Sequence, residues 1–198
     1  MTKTLDASWS AQNDQFLFHY SAPPEDFQYT KGNFLKRTAT LFDPLGFLAP
    51  FVVKAKLFAQ QAWLEADDAL PSKQQDEWRS WFNELPLLQN IQIPRCLKDE
   101  GGQITAISLH TFTDASEKAY CASVYSRHVY KDGKVTTRLI ASKTRLSPLK
   151  ALRIPRLELM GALIGLRLSR QVLTLDFGYE IRVESLNRLL LKIGRAHV

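Results

Sequence analysis

The chain is poor in cysteine and methionine, with two of each in 198 residues. Cys96 and Cys121 can build neither a disulfide framework nor a Cys-x-x-Cys metal site, so a reducing, intracellular setting is expected. Long apolar runs are also missing. The longest, residues 45–53, is broken by Pro50 and closed by Lys54, far short of the roughly 20 residues of a membrane helix. The opening MTKTLDASWS lacks a basic region followed by an apolar stretch, so no secretory signal is read there. Absent too are the Asp-Thr-Gly or Asp-Ser-Gly turns of an aspartic peptidase and the Tyr-x-Asp-Asp pair of a polymerase metal site. Asp67-Asp68 is expected to be a solvent-facing pair before Pro71.

Charge is unevenly placed. The net charge is +6, and residues 138–157 hold no acid while Arg138, Lys143, Arg145, Lys150, Arg153 and Arg156 are all basic. A solvated basic loop is the plain explanation for such a run. Its place directly before Glu158 favours a phosphate-binding rim made by Lys143, Arg145, Lys150, Arg153 and Arg156.

Along the chain, residues 4–9 and 15–20 read as a hairpin around Asn13-Asp14. Residues 33–42 and 50–64 have helical spacing, and Asp43-Pro44-Leu45-Gly46 separates them. A third helix follows Pro71, with Ser72 as its cap and Gln75 in the capping-box position. Its stripe of Trp78, Trp81, Phe82 and Leu85 predicts a core. Residues 91–95 are extended, and the Gly101-Gly102 stretch marks a domain boundary. Beyond it, residues 104–114, 119–130 and 135–143 read as strands, the last two joined by a turn at Lys131-Asp132-Gly133-Lys134. Pro155 opens a long apolar helix through residue 173, and residues 181–184 begin a fourth strand. The fold class expected is α+β: a mostly helical first unit over 1–100, then a mixed sheet with a packed helix over 104–191.

Two acids stand out in the second unit. Asp114 ends a hydrophobic and β-branched strand, and Glu158 is expected in the first turn of the apolar helix. Alone, Asp114 reads as a turn residue and Glu158 as an acid favoured by the helix dipole. Together, in the order strand–strand–strand–helix–strand, they fit the opening of a ribonuclease H-like domain, where carboxylates on rigid elements share magnesium. Glu158, Gly161, Ala162 and Gly165 share one helix face, so small residues beside the acid permit close approach to the sheet. His110 and His128 have no ligand-like spacing.

Three segments carry a resemblance: KRTATLFDPLGFLAPFVVKAKLFAQQAW at 36–63, LHTFTDASEKAYCASVY at 109–125 and SKTRLSPLKALRIPRLELMGALIG at 142–165. The sequence resembles the Pol polyprotein of BEL/Pao-type LTR retrotransposons, at the end of the reverse-transcriptase region and the start of the RNase H-like domain. The region is also known as the Pao retrotransposon peptidase family, although the peptidase turns are missing here. The resemblance implies a reverse-transcriptase palm, thumb or connection-like unit over 1–100 and a truncated RNase H-like domain over 104–191. It further implies that the intact parent cleaves RNA in RNA–DNA hybrids with Mg2+, Asp114 and Glu158 serving as metal ligands. Glu184, in Val183-Glu184-Ser185, stands where the family has a Thr-Asp-Ser-like motif and is a third catalytic candidate. The acidic set is incomplete, so this fragment is expected to be inactive. A non-catalytic nucleic-acid-binding or scaffold module is the alternative, and an aspartic peptidase is disfavoured. Expected partners are an RNA–DNA hybrid or other nucleic acid and the rest of the polyprotein, with no membrane, in a cytoplasmic particle or the nucleus. The ending IGRAHV resembles a translated sequencing adapter, so 192–198 is expected to be a non-native tail.

Overall fold

The computed structural model describes residues 2–4, 7–20, 23–41, 43–64, 71–99, 101–175 and 181–182. Asp67-Asp68, Glu184 and the 192–198 tail lie outside them. The chain divides into two compact units, Met1–Pro44 with Pro50–Cys96, and Leu45–Ala49 with Leu97–Val198.

The first unit combines a small antiparallel sheet with three helices. Strands β1 (Thr2–Thr4), β2 (Ala7–Ser10), β3 (Gln15–Leu17) and β4 (Gln92–Pro94) lie in that order. The stretch 4–9, expected to be one strand, contributes to two antiparallel strands with Thr4 opposite Ala7. Asp14 closes the β2–β3 turn at φ 49°, a conformation Asp adopts more readily than most residues. Its carboxylate accepts from Trp9 Nε1 at 3.0 Å and from Arg95 Nε at 2.6 Å, tying β4 to the turn.

Helix α1 (Lys31–Ala39) is capped by Thr30, whose side chain accepts from the Asn33 N–H. Helices α2 (Ala49–Trp63) and α3 (Ser72–Glu84) follow. Ser72 does not cap α3. Pro71 holds an extended ψ of 144° and its carbonyl accepts from Gln75, which puts Ser72 inside the first turn. The expected aromatic stripe is the core: Trp78, Trp81, Phe82 and Leu85 are all buried, and Phe34 stacks on Trp78 at 3.7 Å.

The second unit is one sheet with a helix on it. Strands β5 (Ile104–Ala115), β6 (Ala119–Tyr130) and β7 (Val135–Leu146) are antiparallel neighbours, and β8 (Ile181–Arg182) runs parallel to β5 on its other side. Every second residue of β6 from Tyr120 to Tyr130 is buried, the period-two signature of a sheet with one covered face. Gly133 takes φ 84° in the β6–β7 turn, where a side chain would be strained.

Helix α4 (Ile154–Leu173) covers that face. Leu157 and Ile164 pack with Tyr120 and Ala122, and Val172 with Leu109 and Val124. The hydroxyls of Thr111 and Ser169 share a buried 2.6 Å hydrogen bond across the helix–sheet contact. On the outer edge of β7, Ser142 N–H donates to the Leu45 carbonyl at 2.7 Å and Ser142 Oγ to the Gly46 carbonyl at 2.5 Å. Part of an otherwise open strand edge is thereby covered.

Candidate metal and nucleic-acid site

Asp114 sits one residue from the end of β5, paired with Cys121 of β6. Its flanking residues turn toward α4: the Thr113 methyl lies beneath Gly165, and Ala115 packs with the Leu157 cluster. The pleat therefore directs Asp114 to the opposite face at the strand end, beside Cys121. Asp114 Oδ1 accepts from the Ala115 N–H at 2.9 Å. The tight turn that follows is held by Ser116, whose Oγ accepts from Lys118 and Ala119 N–H groups. Burial pushes the Cys121 thiol pKa up, and the Asp114 charge adds to the shift against an opposing backbone hydrogen bond.

Glu158 is not in the first turn of α4. Arg153 keeps an extended ψ of 146° and its carbonyl accepts from Arg156 and Leu157, so the helix opens at Ile154, with Pro155 second and Glu158 fifth. The dipole of the helix N-terminus acts on the first turn and so does not account for an acid here. Glu158 is exposed. One turn further on, a Cβ at Gly161 would lie 3.4 Å from the Asp114 carbonyl and 3.5 Å from that of Cys121. The helix thus crosses the sheet at the Asp114–Cys121 pair, one turn beyond Glu158.

The donor chemistry suits a hard cation. Neither Asp114 nor Glu158 is in a salt bridge among the described residues, and carboxylate oxygens suit a magnesium ion that keeps several of its waters. No three His, Cys, Asp or Glu side chains gather as a metal site among the described residues. The described set is two acids on neighbouring elements.

The basic residues separate into two groups. β7 runs on to Leu146, so Arg145 joins Lys143 on the strand. They line a groove against α4 together with Arg167. Lys150, Arg153 and Arg156 are exposed on the connection into α4 and in its first turn, outside that groove. Arg167 was not foreseen because it lies beyond the acid-free run, and only the helix–sheet packing brings it opposite β7. His110 Nε2 bonds Ser108 Oγ at 3.0 Å, and His128 is buried.

Residues 30–183 match the model of the Pao retrotransposon-like RNaseH-like domain. The chain belongs to this Pao family. No curated protein and no solved structure matches it. The Pao match runs through both compact units, from the cap of α1 to just past β8. Among the described residues, no helix of this Pao chain is long and apolar enough to cross a membrane.

Proposed function

We propose that this Pao chain is part of a retrotransposon Pol polyprotein whose RNase H-like domain cleaves the RNA strand of RNA–DNA hybrids. The observation that carries the reading is the crossing of α4 over β5, which sets the turn of Gly161 on the Asp114 peptide with Glu158 one turn away. Asp114 and Glu158 would hold Mg2+. When bound, the ion would activate water and stabilise the departing 3′ oxygen during in-line attack at phosphorus. Glu184 would add a third carboxylate. Lys143, Arg145, Lys150, Arg153 and Arg156 would contact phosphates, making recognition largely independent of sequence. In the same reading the first unit is the reverse-transcriptase palm, thumb or connection-like segment, and the chain works inside the cell, in a cytoplasmic particle or nucleus.

A second reading, in which this chain binds hybrids without cleaving them, follows from the sequence, where Val183-Glu184-Ser185 stands in place of the family's Thr-Asp-Ser-like motif. A magnesium-dependent hybrid-cleavage assay on the full chain and on Asp114→Asn decides between them. Cleavage lost in the variant supports the nuclease. Binding with no metal-dependent cleavage supports the binding module, and absence of both rejects the nucleic-acid reading.

A further inference from the structure

Three cations meet in one groove, and no acid is among its described lining residues. Lys143 and Arg145 alternate on edge strand β7, Arg167 faces them from α4, and Tyr120, Met160 and Leu163 contribute to the walls. All three cations are exposed, and none is in a salt bridge among the described residues. Lys134 and Arg138, by contrast, both engage Asp99. Like charges brought together repel one another, and an anion in the groove relieves that repulsion.

Size and lining narrow the choice of anion. The groove holds about 210 Å³, below the roughly 300–1,000 Å³ of pockets that enclose a whole small ligand. A segment of a polymer lying across it fits better. Met160 and Leu163 offer an apolar surface to the carbon faces of a sugar or base, beside a cationic track of the kind that follows a single-strand backbone.

We infer that this groove binds a phosphodiester segment of a single nucleic-acid strand, with Arg167 joining Lys143 and Arg145 on the phosphate oxygens. The inference rests on the nucleic-acid reading above and adds a contact that works independently of the two acids.

The test is fluorescence anisotropy of the full chain with a labelled single strand of about 15 nucleotides, in EDTA, over a salt series. Each phosphate contact on a single strand contributes about 0.7 to the slope of log affinity against log salt. Arg167→Gln should lower the slope by about 0.7 and weaken binding roughly fivefold near 0.1 M salt, with Arg167→Lys restoring most of it. Arg170→Gln, an exposed cation in the last turn of the same helix, should change neither. Equal losses in Arg167→Gln and Arg170→Gln, or no loss in either, overturn the groove while leaving nucleic-acid binding in place. Absence of wild-type binding at low salt overturns the groove, whereas the cleavage assay judges the acids separately. Displacement by polyglutamate as effective as by unlabelled strand at equal charge would overturn the choice of nucleic acid.

Discussion

Gly161 lies against the backbone of Asp114, with room for a Cβ only at 3.4 Å from its carbonyl oxygen. Four residues later the fit is tighter, since a Cβ at Gly165 would come within 2.7 Å of the Thr113 methyl and 3.1 Å of the Thr111 methyl. The two glycines therefore respond differently to alanine. At Gly161 the gain in helix propensity, about 1 kcal/mol, meets ordinary contact, so Gly161→Ala should be neutral or stabilising. At Gly165 overpacking costs about 1–3 kcal/mol, so Gly165→Ala should be destabilising on balance. Urea unfolding followed by far-UV circular dichroism checks both. Tryptophan fluorescence would not, because Trp9, Trp63, Trp78 and Trp81 all belong to the first unit.

His128 predicts a loss of stability in mild acid. It is buried on β6, and desolvation holds its imidazole pKa below the ordinary 6.5, helped by the Lys98 and Arg138 charges and opposed by Asp99 and the Leu97 backbone. Below pH 6.5 the unfolded chain takes up a proton that the folded chain resists. Stability conferred by the neutral ring is thus complete above 6.5 and falls as pH drops toward the lowered folded value, by at most about 1.4 kcal/mol per pH unit. Hydrogen exchange of β6 amides between pH 7 and 5, compared with His128→Leu at the same pH values, measures it. The variant should lose this part of the pH dependence.

The two thiols should react at different rates. Cys96 is exposed, whereas Cys121 is half-buried, with its pKa raised by burial and by Asp114. Thiolate is the reactive form. Iodoacetamide should modify Cys96 first and Cys121 several-fold more slowly, and Asp114→Asn should narrow the gap. Peptide mass spectrometry over a time course reads the ratio.

Gly46 is a further point of strain for any other residue. It takes φ 76°, and a Cβ there would collide with the Ser142 backbone. Gly46→Ala should cost more than the roughly 1–2 kcal/mol of a left-handed L-residue and free the adjoining edge of β7 for association. Lower thermal stability, with aggregates in light scattering, is the expected outcome.

Much of the second unit could be read directly because β6 alternates with period two, β5 and β7 are rich in apolar and β-branched residues, and Asp132-Gly133 supplies turn chemistry. Helix ends were harder to place. A carbonyl fixed by the backbone at Pro71 and at Arg153 starts α3 and α4, displacing Ser72 from its cap and Glu158 from the first turn. Long-range packing was not legible locally: nothing near Leu45-Gly46 announces the β7 edge, and nothing near Arg167 announces Lys143 and Arg145. The acids themselves could be picked out, because a strand-end Asp and a helical Glu followed by small residues form a local pattern. Which face of the pleat Asp114 takes required the flanking contacts of Thr113 and Ala115.

The central claim is that Asp114, on the sheet face away from α4 at the end of β5, and the exposed Glu158, one turn from the α4–β5 crossing, reach one divalent cation around the strand end. Titrating the full chain with Mn2+ and following paramagnetic broadening of its backbone amide signals tests this without requiring turnover. The account predicts that amides around Asp114 and around Glu158 broaden together at the lowest Mn2+ additions, that excess Mg2+ reverses the effect, and that Asp114→Asn or Glu158→Gln removes it at both places. Broadening at only one of the two, or first elsewhere, would contradict it.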